Sequence, residues 1–210
     1  MNILIVSSSQ RADSKSLDVS KSLQSHVLNK MEQVTSSILD LSDVPFLLDH
    51  YGYGREDIEQ LANNKTAVLN TLYGCDAVVF VVPEWGGMIP PALVNLFLLT
   101  ANGSANGLPL GHKPAFAVGV SASGGGSNPI SLLKAYAAKN SHLTWLPLHA
   151  IVQNVDDFLA QPWLPELDNR FSQVQSRLEV GLKSLAIYST QLSVVREELV
   201  ALSKVHPFGQ

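Results

Sequence analysis

One cysteine, Cys75, in 210 residues rules out an intrachain disulfide and fits a reducing compartment. Charge is equally sparse: Asp, Glu, Lys and Arg make up 15% of the chain, and the formal net charge is −4. That balance offers no basic footprint for nucleic acid and no polybasic patch for an anionic membrane. The six histidines are scattered, with no HxxxH spacing and no Cys/His cluster, so no metal site is expected. Long apolar runs are missing too. The most apolar later stretch, IPPALVNLFLLTA, starts with prolines and falls short of the ~20 residues a membrane span needs. The opening MNILIVSSSQ has no basic segment and too short an apolar run for a secretory leader. A cytoplasmic protein is expected.

What the chain has in quantity is core material. Hydrophobic residues make up 46% of it, enough at this length for one domain with a substantial core. Short β-rich runs alternate with stretches of helical period. NILIV (2–6), VTSSILDL (34–41), DAVVFVV (76–82), PAFAVGVS (114–121) and a part of HLTWLPLHAIVQ (142–153) read as strands. Between them, helices are expected after residue 16 to about Met31, over 55–73, over 91–100 and over 128–140. Leu17, Leu23 and Val27 would share a buried face of the first, and Ile58, Leu61, Leu69 and Leu72 of the second. Strands that are apolar on both faces and separated by helices argue for a parallel sheet covered on both sides. Five of them suit a doubly wound α/β order, 2-1-3-4-5.

From Leu164 to Leu202 apolar residues recur at spacings of three or four. Two readings stay open. One is a continuous helix from about Pro165 to Ser203, roughly 58 Å long at ~1.5 Å per residue, overhanging the sheet and packing on a second subunit. The other is two helices, broken near Gly181 or the β-branched YST (188–190).

In a doubly wound sheet, ligands bind beyond the carboxyl ends of the strands, so the segments after strands 1, 3 and 4 matter most. SSSQRADSKS (7–16) sets five serines, Arg11 and Lys15 before a helix start. Unpaired N–H groups and the helix dipole make that a seat for phosphate, with a solvated loop and a serine N-cap as the plainer alternative. It is neither a Walker A loop nor GxGxxG. SASGGGSNP (121–129) could bring backbone N–H groups close to a flat, electron-rich ligand, or be a turn in which Ser127 or Asn128 caps the next helix. PEWGGMIPPALVNL (83–96) puts an acid, an aromatic and two glycines between a buried strand and a proline-initiated helix.

Taken in order after strands 1, 3 and 4, SSQRADSKS, PEWGGMIPPALVNL and SASGGGS resemble the three flavin loops of the NADPH-dependent FMN reductase family. The likeness covers about residues 1–185 and implies a flavodoxin-like fold with a bound FMN. By position, Ser9, Arg11, Ser14 and Ser16 would hold the phosphate. Pro83, Glu84, Trp85, Gly86 and Gly87 would wrap the isoalloxazine ring, and Ser121, Ser123, Gly124 and Gly125 would meet its pyrimidine side. Gly86 stands where the family's Pro-Glu-Tyr-Asn has Asn, so contacts there fall to backbone N–H groups. Residues 1–190 would form the flavodoxin-like domain, and 191–210 a helical extension of it.

The resemblance implies an oxidoreductase that moves hydride from NADPH or NADH through FMN to a small acceptor, such as a quinone, an azo compound, a metal ion or free flavin. No side chain need be catalytic in the strict sense. A homodimer or homotetramer is expected. An FMN-binding electron carrier and a non-enzymatic interaction protein of the same fold are the alternatives. Cys75, Trp145 and Trp163 read as packing. The tyrosine-bearing LLDHYGYGRED loop (47–57) reads as surface, or as a cover for a neighbouring subunit's flavin.

Overall fold

The computed structural model describes residues 1–48, 58–101 and 107–207, with 58–61 and 136 as backbone only. Five strands, β1 (Asn2–Ser7), β2 (Thr35–Asp40), β3 (Ala77–Pro83), β4 (Pro114–Val120) and β5 (Thr144–Val152), form one parallel sheet in the order β2-β1-β3-β4-β5. Their connections hold α1 (Lys15–His26), α2 (Ile58–Tyr73), α3 (Pro91–Leu99), α4 (Ser127–Tyr136), the short α5 (Ala138–Ser141) and α6 (Val155–Ala160). Two more helices, α7 (Arg170–Ser193) and α8 (Arg196–Ser203), close the chain. This is the flavodoxin-like, doubly wound arrangement expected from the alternating pattern. The cover loop lies, from residue 49 onward, outside the described residues, as do the side chains of Ile58 and Leu61.

The two-residue period of a strand divides the core in two. Leu4, Val6, Val78 and Phe80 face α2, α3 and α4, where Leu72, Leu96 and Leu133 meet them. Ile3, Ile5, Val79 and Phe116 face α1 and α7, where Val19, Leu23, Leu178 and Leu182 complete a second cluster. Each such side chain, fully buried, contributes about 1.5–3 kcal/mol. Burial on both faces is why these strands read as unbroken apolar runs. Trp145 packs on Phe80 at 5.6 Å between ring centroids, and Trp163 stacks on His26 at 5.2 Å. Cys75 is buried, and burial pushes its thiol pKa up.

Pairing aligns the carboxyl ends. Ser7 lies beside Val81, and Pro83 beside Val120, so the segments leaving β1, β3 and β4 emerge along one edge. β5 is less regular than its sequence suggests. Trp145 pairs with Ala115 but His149 with Ala117, and Pro147, which has no N–H to give the ladder, sits inside this bulge.

The C-terminal stripe resolves into two helices, and the break falls at neither expected place. α7 starts at Arg170 because Asn169 caps it, accepting from the N–H groups of Phe171 and Ser172, while Ser172 returns a bond to Asn169. Leu164 and Leu167, counted into the stripe, sit in the preceding turn, 37% and 49% exposed. Gly181 does not break the helix. Its missing side chain makes room for the Phe116 ring, whose Cζ lies 2.2 Å from where a Cβ would stand. The YST stretch stays helical as well, with the buried Ser189 hydroxyl donating to Asp76 O at 3.2 Å. The chain turns instead at Val194–Val195, after which Arg196 donates to the same Asp76 oxygen at 3.1 Å. Among the described residues no helix is long and apolar enough to cross a membrane.

Candidate functional site

The segments after β1, β3 and β4 surround a cleft of about 220 Å³ at the point where the strand order reverses. The first supplies Ser9, Arg11, Ser14 and Ser16, together with Asp13 and Lys15. The second supplies Pro83 to Gly86, and the third Ser121 and Ala122. Gly87, Ser123, Gly124 and Gly125, named with them from the sequence, do not line the cleft.

α1 begins at the floor of this cleft. Ser14 is its N-cap, its hydroxyl oxygen accepting from Leu17 N at 3.2 Å and its carbonyl from Leu17 and Asp18. A serine hydroxyl that accepts still has a proton to donate. The N–H groups of Lys15 and Ser16 have no acceptor among the described residues. The Ser16 hydroxyl is buried and equally without a partner. Buried hydroxyls are seldom left so. Lys15 reaches away to Asp156 of α6, 2.6 Å off, and that bond raises the lysine pKa. Arg11 has no carboxylate partner among the described residues; its guanidinium lies 5.3 Å from the centre of the Trp85 ring.

The opening junction of the second segment is a tight two-residue turn. Trp85 and Met88 exchange both backbone bonds at 3.0 Å, with φ of 56° at Gly86 and 82° at Gly87. Two successive positive φ values define a type I′ turn, which favours Asn or Gly first and Gly second. A Cβ at Gly86 would meet nothing within 4 Å. The glycine therefore preserves the backbone an Asn would adopt and removes only the side chain.

Glu84 is a backbone-bonding carboxylate. It accepts from Gly126 N, and its own N–H donates to Val120 O at 3.0 Å. Gly126, with φ of 103°, is the residue before α4, so neither Ser127 nor Asn128 caps that helix. The acid from the neighbouring strand does, where the helix dipole favours a negative charge. Gln10 ties the first segment to the second in the same manner, its oxygen accepting from Ala92 N in the first turn of α3 at 3.3 Å. These links join residues distant in sequence, and no local pattern announces them.

The NADPH-dependent FMN reductase pattern matches residues 1–155. The chain belongs to that family. No curated protein matches it in sequence. Among solved structures, an oxidoreductase from Corynebacterium diphtheriae superposes with a TM-score of 0.67 at 12% identity, covering 90% of this chain and 97% of the other. The apo form of EmoB, an NADH:FMN oxidoreductase, gives a TM-score of 0.64 at 12% identity over 87% and 89%. FerB of Paracoccus denitrificans, an NAD(P)H:acceptor oxidoreductase, gives 0.53 at 18% over 94% and 96%. At these identities the likeness speaks for the fold. Family membership makes this FMN reductase relative a flavin-dependent oxidoreductase.

Proposed function

We propose that the cleft holds FMN and that the protein passes hydride from NADPH or NADH to a small acceptor. The observation that carries the reading is the meeting of three flavin-type segments over an α1 N-terminus with unspent donors. Two backbone N–H groups and the buried Ser16 hydroxyl lack acceptors there, and Arg11 stands at the rim. A phosphate dianion satisfies all of them at once. Ser9, Arg11, Ser14 and Ser16 would hold it.

Bound FMN would supply the hydride chemistry. The chain's part is to seat the ring against the 83–87 turn and to offer fixed N–H donors from the glycine segment to a form that gains negative charge on reduction. Trp85 borders the cleft and can wall the ring. Residues 191–210 read as a helical extension of the 1–190 domain. A quinone, an azo compound, a metal ion or free flavin would serve as acceptor.

The test is anaerobic titration. Protein reconstituted with FMN should retain oxidised-flavin absorbance through gel filtration and bleach on addition of NADPH or NADH. Retention of FMN without bleaching by either nucleotide points to an electron carrier instead. Failure to retain FMN overturns the reading.

A further inference from the structure

One side chain outside the three segments, Gln153, bonds the glycine loop, and a second, Arg170, bonds Gln153. Gln153, the first residue after β5, donates through Nε2 to the carbonyl oxygens of Gly124 and Gly125, the latter at 3.2 Å. Its own oxygen accepts from Arg170, the first residue of α7, at 3.1 Å. With its amide turned to satisfy both of its ends, Asn154 also accepts from the Arg170 guanidinium, at 3.1 and 3.0 Å. A guanidinium only donates, so Arg170 fixes which end of the Gln153 amide faces the loop.

The geometry of a trans peptide then decides where the loop's N–H groups point, because C=O and N–H face opposite ways. The Gly125–Gly126 peptide is anchored on both sides: its oxygen on Gln153, its N–H on the Glu84 carboxylate. Gln153 and Glu84 therefore flank the loop from opposite sides, and Glu84 is the one that lines the cleft. The Gly124–Gly125 peptide also gives its oxygen to Gln153. Its N–H, that of Gly125, is thereby turned to the Glu84 side, and it has no acceptor among the described residues.

We propose that Gln153, oriented by Arg170, is a positioning residue that keeps the Gly125 N–H on the Glu84 side of the loop, the side of the cleft, and so sets how much more tightly the site holds reduced than oxidised flavin. This rests on the reading that FMN occupies the cleft. Glycine peptides rotate at little steric cost. Without the clamp, the loop can present a carbonyl oxygen, which repels the charge gained on reduction, in place of a donor.

The test has two parts. In the apoprotein, hydrogen exchange over residues 121–129 should speed up in Q153L and R170A. With FMN bound, the ratio of affinities for reduced and oxidised flavin should fall about tenfold in Q153L, equivalent to about 30 mV in a two-electron potential. R170A should move it the same way by less. Q153E still pairs with Arg170 but cannot donate to the carbonyls, and it should behave as Q153L does. Arg170 is exposed, so R170A carries the test if Q153L fails to fold. Unchanged exchange and an unchanged affinity ratio in Q153L, or wild-type values in Q153E, would overturn the proposal. If the wild-type protein binds no FMN, the functional reading fails, while the exchange comparison still decides whether Gln153 holds the loop.

Discussion

The two edges of the sheet differ in where their polar groups are directed: into the chain at one, into a cleft at the other. At the amino edge several of them hold the chain together, while the buried Trp145 Nε1 and Arg196 Nε lack partners among the described residues. Lys113, 5% exposed, donates to the carbonyls of Leu72 and Tyr73 at 2.6 and 2.9 Å and so closes the end of α2. Ser189 and Arg196 both reach Asp76 O, and His112 bonds Ser203 of α8 at 2.7 Å. At the carboxyl edge the Ser16 hydroxyl and the N–H groups of Lys15, Ser16 and Gly125 lack partners among the described residues. An unsatisfied buried group costs about 1–3 kcal/mol, so a cluster of open donors around one cleft is a sign of a ligand there. On the proposed reading, the same fold separates cohesion from binding along the strand axis.

Lys113→Met should give the largest effect. It strips a charged donor from two carbonyls at the amino edge and should cost about 3 kcal/mol in urea denaturation. FMN affinity of the folded fraction should stay as it was; a joint loss would show that the edges are not separable. Next comes Arg11→Ala, expected to weaken FMN binding by about 1.5–3 kcal/mol through loss of a charge-assisted contact, with stability unchanged. Equal FMN affinity in titration would remove Arg11 from the phosphate site. Ser14→Ala should lower both quantities, because that residue also caps α1, at about 1 kcal/mol for the cap.

Ser16→Ala sharpens the contrast further. Its hydroxyl supports nothing in the folded chain, so thermal stability should hold or rise slightly while FMN affinity drops by about 1 kcal/mol. A clear loss of stability would mean that the hydroxyl has a structural partner. The smallest effect concerns pH. Burial, then the neighbouring charge of His142, lowers the His112 pKa from its ordinary value near 6.5. The unfolded chain then binds the proton more readily, so the stability linked to His112 is present above about 6.5 and is lost as pH falls through the lowered folded value. Melting curves of the wild type and His112→Asn should converge between pH 7.5 and 5.5. Parallel curves would exclude His112 as the cause.

Much of this was legible in the residues, for identifiable reasons. A sheet covered on both faces demands apolar strands, so β1, β3 and β4 stand out, and the order 2-1-3-4-5 follows from strand–helix alternation. The rule that ligands gather beyond the carboxyl ends picked the three segments that line the cleft. It applied equally to β5, and would have led to Gln153 as the first polar side chain after that strand. Arg170 had no such signal, since α7 reaches the loop only through the tertiary fold. The break at Val194–Val195 escaped because the three-and-four spacing of apolar residues runs straight across it. Gly181 misled for the opposite reason: a helix-weakening residue was retained for space against Phe116.

The manner in which the three helices of this edge begin has one more consequence. α3 starts at two prolines, which have no N–H, and its first available amide, Ala92, is taken by Gln10. α4 has its N-terminus occupied by the protein's own acid, Glu84. At α1 the amides of Lys15 and Ser16 have no acceptor among the described residues, and they open on the cleft. An anionic group entering the cleft meets open amides at α1 and, beside Gly126, a resident carboxylate. If FMN occupies the cleft as proposed, its phosphate would be drawn to the start of α1 and turned away from the start of α4, where the protein's own charge already stands.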